Sequence, residues 1–200
     1  MAQQLPAAAP ATAPATAAPP AKPKPKPKSP ATPAAAPAAK PEGSAPAKPA
    51  VTNGARLLGQ YGQWGAYTAS PSGKKVCFVI SQPTSAQTVP PNRPRNPVYM
   101  FISTRPADKV VNEVSVIAGY PFKPSLDATA AVGSTTFALY TQQDGAWIKN
   151  AGDEANMLSA MRAGDSIVVK GVSAKGTQSS DTYTLKGISQ ALDRVAQECK

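Results

Sequence analysis

Lys75-Val76-Cys77-Phe78-Val79-Ile80 decides how the rest of this chain reads. The run is apolar on both faces and carries β-branched residues, so it reads as a central strand. Outward from it, the same short-strand texture extends from Gly59 onward, broken by turn signals. Residues 98–104 are rich in aromatic and β-branched residues. In 110–118, Val114 and Val116 share one face while Glu113 and Ser115 share the other, the alternation of a half-buried strand. Residues 135–141, 166–172 and 182–186 complete a set of at least six strands. Two short helices are expected at about 153–162 and 189–198. The first has Asp153 and Glu154 at its positive end, Gly164 after its last turn, and Ala155, Leu158 and Met161 as its apolar face. The second has Ser189 as candidate N-cap. Its Leu192, Val195, Ala196 and Cys199 fall at i, i+3, i+4 and i+7.

That stripe puts Cys199 on the helix face that docks against the sheet, and Cys77 lies in the most apolar strand. A bridge between these two cysteines would fasten the terminal helix to a central strand. Two buried free thiols are the alternative. The presence of two cysteines and no more, with a tail of secreted character, favours the bridge.

The N-terminal quarter cannot join this core. Residues 1–50 hold 14 prolines and 19 alanines, no aromatic residue, and Leu5 as the one large aliphatic. Such a segment buries too little apolar surface to offset its ordering entropy, so residues 1–55 are expected to be a disordered Ala/Pro/Lys-rich tail. Residues 56–200 then form the folded domain. Lys22, Lys24, Lys26 and Lys28 alternate with proline, a pattern that favours an extended, self-repelling polyproline II rod. These four lysines are the candidate contacts for peptidoglycan or anionic lipid; a solvated spacer is the plainer reading. The formal net charge of +10 draws the chain to polyanions without conferring specificity.

The chain contains no histidine, which removes Ser-His-Asp and Cys-His catalysis and His-ligated metal sites. Two cysteines 122 residues apart give neither a Cys₄ site nor a CxxC redox motif. A membrane-spanning helix needs about 20 consecutive apolar residues. No run in this chain approaches that length. Met1-Ala2-Gln3-Gln4 lacks the charged and apolar regions of a signal peptide, and looks like a mature exported chain restarted with methionine. Asp181 has no second carboxylate at a spacing that suggests acid–base chemistry and reads as a cap for the turn after Gly176. Gly171 and Gly176 form no phosphate loop. No catalytic residue, metal or cofactor is assigned.

Several ordered motifs resemble the invasion-associated locus B family. They are Gly119-Tyr120-Pro121-Phe122-Lys123, Ala146-Trp147, Ala160-Met161-Arg162-Ala163-Gly164, Val169-Lys170-Gly171-Val172-Ser173-Ala174-Lys175-Gly176-Thr177, Asp181-Thr182-Tyr183-Thr184-Leu185-Lys186-Gly187, and Ala191-Leu192 with the terminal Cys199. The resemblance covers residues 59–199. It implies a mainly β, β-sandwich-like single domain, periplasmic, outer-membrane-associated or secreted, in α-proteobacteria. In pathogenic members the family is linked to virulence through host-cell invasion, notably of erythrocytes. Cys77 and Cys199 fit the family's disulfide positions. A further cysteine often found soon after the first tryptophan is absent here, where Ala66-Tyr67-Thr68 stand.

The remaining candidate site is the segment 81–97, with five prolines and the basic pair Arg93 and Arg95. It reads either as a proline-stiffened surface loop or as a contact for an anionic partner, with Asn92 and Tyr99 adding hydrogen bonds or stacking. Trp64, Trp147 and Tyr120 read as core or core-edge residues. The expected function is a non-enzymatic, exported interaction protein that binds a macromolecule at the cell envelope or host surface. The alternatives are a basic protein that binds nucleic acid or another polyanion, and a carboxylate-only hydrolase, for which no motif speaks.

Overall fold

The computed structural model describes residues 54–200, and the expectations for the tail, Lys22 to Lys28 included, lie outside them. Eleven strands form one antiparallel sheet: β1 (Arg56–Tyr61), β2 (Trp64–Ala69), β3 (Val76–Ser81), β4 (Ser85–Val89), β5 (Tyr99–Arg105), β6 (Val110–Ile117), β7 (Ala128–Val132), β8 (Thr135–Gln142), β9 (Gly145–Ile148), β10 (Ser166–Val172) and β11 (Gln178–Thr184). Helix α1 (Asp153–Ala163) links β9 to β10, and α2 (Ile188–Glu198) follows β11. The strand order across the sheet is β1-β2-β3-β5-β6-β9-β8-β7-β10-β11-β4.

That order forces the sheet to roll. Strands β3 and β4 stand eight positions apart in it, yet only residues 82–84 connect them. A flat sheet, at roughly 4.8 Å per strand, would separate them far beyond what so short a link can reach at about 3.5 Å per residue. The far edge must therefore fold back over the near part, giving two facing layers and the sandwich-like form. The indole Nε1 of Trp64 in β2 confirms it by donating to the Thr184 carbonyl at the end of β11, 2.8 Å away.

Period-two alternation decides which side chains fill the interior. Cys77 and Val79, Met100 and Ile102, Val114 and Val116, Ala128 and Ala130, and Ile167 and Val169 all point inward and join one buried cluster. The helices close it. Met157 and Met161 of α1 and Ile188, Ala191, Leu192 and Val195 of α2 are buried in that same cluster. Two helical faces therefore differ from expectation by part of a turn: Ala155 and Ala196 are exposed, while Met157 and Ala191 take the inward positions. The start of α2 also differs, because Gly187 rather than Ser189 holds the N-cap. Gly187 adopts φ 94°, and a Cβ there would collide with the Tyr61 carbonyl, so this junction needs glycine.

The segment 81–97 is not one loop. Ser85–Val89 within it forms an edge strand on β11, hidden from sequence reading because its exposed residues show no apolar alternation.

Candidate functional site

Cys77 and Cys199 are joined in a disulfide, with Cα atoms 6.0 Å apart. It binds the end of α2 to β3, where Arg56, Lys75 and Arg194 surround Glu198 at 3.0–3.7 Å. The hydrogen bond from Arg194, with the charges of Lys75 and Arg56, holds the Glu198 carboxyl below its ordinary value.

At the other end of the roll, the chain between β4 and β5 forms a plug. Asn96 donates its amide to the Gly119 carbonyl at 2.9 Å. Gly119 has a positive φ, and a Cβ there would run into the Asn96 carbonyl, which accounts for the glycine that opens Gly-Tyr-Pro-Phe. This clamp turns Arg95 inward. Its guanidinium grips both oxygens of Asp181 (Nη1 to Oδ2 is 2.9 Å), with side chains only 10% and 2% exposed. The hydrogen bond with Asp181 holds the Arg95 pKa above its usual value. Tyr120 places its ring centroid 6.0 Å from the guanidinium, within reach of a cation–π contact. Its hydroxyl bonds Ser179 at 2.5 Å.

The four candidate contact residues are thus not brought together as one surface. Arg95 is committed to Asp181, and Asp181 is a buried counter-ion rather than a turn cap. Arg93 is exposed, its backbone amide bonded to Thr88 Oγ1; Asn92 stands beside it in a left-handed conformation. Tyr99 projects from β5 into a different neighbourhood, beside Phe101.

The Tyr183 hydroxyl shares the inner row of β11 with Asp181 and has no hydrogen-bond partner among the described residues. Burial pushes the phenol far above its ordinary range, and burial also raises Tyr120. The folded protein keeps both phenols protonated where the unfolded chain would ionise them. Stability is therefore insensitive to these phenols below about pH 10, the ordinary phenol pKa, and falls as pH rises from there toward the raised folded-state values. Tyr183→Phe removes an unpaired buried hydroxyl and is expected to raise unfolding free energy by about 1 kcal/mol. It is also expected to flatten the alkaline limb of a urea-unfolding series. A loss of about 2 kcal/mol or more, on the order of a broken buried hydrogen bond, would contradict this reading.

Aromatic side chains collect on the outer face of the other layer, where neither helix packs its buried residues. Tyr67 stacks on Phe78 with centroids 5.5 Å apart, Phe78 meets Phe101 at 6.1 Å, and Phe101 meets Tyr99 at 6.1 Å. Along the row Phe101–Ser115–Trp147–Tyr140, strand register carries the pattern to β8, where Tyr140 and Trp147 stack at 5.5 Å. Glycines allow rings to lie on the backbone: a Cβ on Gly65 would strike the Tyr67 ring, and one on Gly145 the Trp147 indole. Trp64 is fully buried and Tyr120 packs at the core edge, as expected, whereas Trp147 belongs to this outer face. The signal for it is the repeated Gly-x-aromatic spacing at Gly65-Ala66-Tyr67 and Gly145-Ala146-Trp147.

Together these features define a disulfide-closed, rolled antiparallel β domain with a buried ionic plug and an aromatic outer face. The family model described as "Invasion associated locus B (IalB) protein" matches residues 64–196. This chain belongs to the IalB family. Among solved structures, the crystal structure of invasion associated protein b from Bartonella henselae is similar in fold. It is 22% identical, has a TM-score of 0.51, and the match covers 70% of this chain and 95% of that one. No curated protein matches this chain.

Proposed function

We propose that this protein is a non-enzymatic, exported interaction module of the bacterial envelope, held in the periplasm, at the outer membrane or released. Its outer aromatic face makes the macromolecular contact. One observation carries the reading: Tyr99, Phe101, Trp147 and Tyr140 form a partly exposed apolar surface spanning strands β5 to β8, covered by neither helix of the described residues. Contiguous aromatic patches of this kind are characteristic of interaction surfaces, because large rings bury much area at little conformational cost. The family membership and the disulfide support export and a role at the cell surface. The basic tail, with Lys22, Lys24, Lys26 and Lys28, adds a weak attraction to peptidoglycan or anionic lipid.

The test is sedimentation of the full chain with purified outer membranes of its own species and with host-cell membranes. Tyr99→Ser/Tyr140→Ser is expected to reduce binding to at least one of them about tenfold, the effect of losing a contact of about 1.4 kcal/mol. The variant should stay folded, with its urea midpoint lowered by the loss of the Tyr99–Phe101 and Tyr140–Trp147 contacts, about 0.5–1.5 kcal/mol each. Undiminished binding by the folded variant would overturn the assignment of this face.

A further inference from the structure

The opposite layer carries a depression that none of these roles uses. Its floor is the outer face of β7, β10, β11 and β4, where register aligns Thr129, Lys170, Ser180 and Gln87 in one row, with Gln178 in the next. The depression encloses about 430 Å³. Val89 and Leu126, which are 64% and 42% exposed, stand at its margins, and Val172 lies between them. We propose that it is a binding site for a carboxylate-bearing saccharide.

Three features specify that chemistry. First, the floor side chains of Gln87, Thr129, Lys170, Gln178 and Ser180 make no hydrogen bond to one another or to other described residues, and Gln87, Lys170 and Gln178 are exposed. Second, backbone amides and carbonyls of the inner strands are spent within the sheet plane. An extended peptide would find no main-chain partner on this face. A ligand here must be read by side-chain amides and hydroxyls, one per strand at about 4.8 Å intervals, which suits a polyhydroxylated ring. The flanking Val89, Val172 and Leu126 offer surface for its C–H faces. Third, the charge is one-sided. Asp127 at the rim is neutralised by Lys149 at 2.6 Å, whereas Lys170 has no ion-pair partner among the described residues. An uncompensated ammonium amid neutral polar groups favours a carboxylate on the sugar.

The experiment is amide NMR on the full isotope-labelled chain, titrated with trigalacturonate and, separately, with neutral galactotriose. It is run at physiological ionic strength, where a Debye length of about 8 Å suppresses diffuse attraction to the tail. Trigalacturonate is expected to shift Gln87, Lys170, Gln178 and Ser180 and to bind about tenfold more tightly than galactotriose, the size of one charge-assisted hydrogen bond. Lys170→Gln should remove that difference, and Gln87→Ala/Gln178→Ala should weaken both ligands. All three positions are exposed, so the spectra should retain the folded pattern. Acidic oligosaccharides released from the bacterium's own envelope and from host surfaces then distinguish the source by which set shifts the same residues. Shifts confined to the lysines between 22 and 28, or an unchanged response in Lys170→Gln, would overturn the site.

Discussion

Cys77→Ser is expected to lower the unfolding free energy by about 5 kcal/mol. The bridge closes a loop spanning 122 residues of separation, and the chain-entropy model assigns roughly that value to a loop of this length. The loss is large against the roughly 5–15 kcal/mol typical of a folded domain. It should lower the melting temperature by about 10–20 °C at this size. Packing contributes on the same side. Cys77 is fully buried, and its partner holds the end of α2 against β3, so α2 becomes the first element to detach. Cys199→Ser and the double variant should each cost about as much as Cys77→Ser, since all three remove the same link. Urea unfolding of the set, with the reduced parent as a fourth member, checks this. Costs that add across the two single variants would show that the side chains matter for packing rather than for the link.

Asp181→Leu is the second change with a large expected effect. It leaves the Arg95 guanidinium buried beside Tyr120 with no counter-charge. Such losses cost about 3–5 kcal/mol. The double variant Arg95→Met/Asp181→Leu removes both charges and should recover most of that cost, because a buried pair roughly balances its own desolvation. The comparison separates two roles for the plug. If the double variant is as unstable as the single one, the ion pair itself closes the roll; recovery shows that packing by the clamped segment suffices. Denaturant midpoints of the three proteins decide it.

The parts of this domain that are legible in the sequence are those set by local pattern. The run at Val76–Ser81 is apolar on both faces and proves central, and the alternation around Val114 and Val116 predicts their inward positions. The stripe on the last helix predicts a Cys199 that faces the sheet, where the structure joins it to Cys77. What escapes is set by pairing at long range. Ser85–Val89 is a strand because β11 offers it an edge, with nothing in its own residues to demand it. Arg95 and Asp181 lie 86 residues apart, and only the fold brings an arginine from a proline-rich segment onto a carboxylate of β11. An exposed basic loop and an inward plug share the same sequence signature. The aromatic face is half visible: Tyr99 stands out in the sequence, but its continuation through Phe101 to Trp147 and Tyr140 depends on strand register.

Export of this disulfide-closed family member, as proposed, is decided in the cell. Native fractions would be treated with a thiol-alkylating reagent and the peptides containing Cys77 and Cys199 followed by mass spectrometry. An exported protein gives an unalkylated, linked peptide pair in the periplasmic, outer-membrane or culture fraction. Two alkylated thiols in protein confined to the cytosol would contradict export.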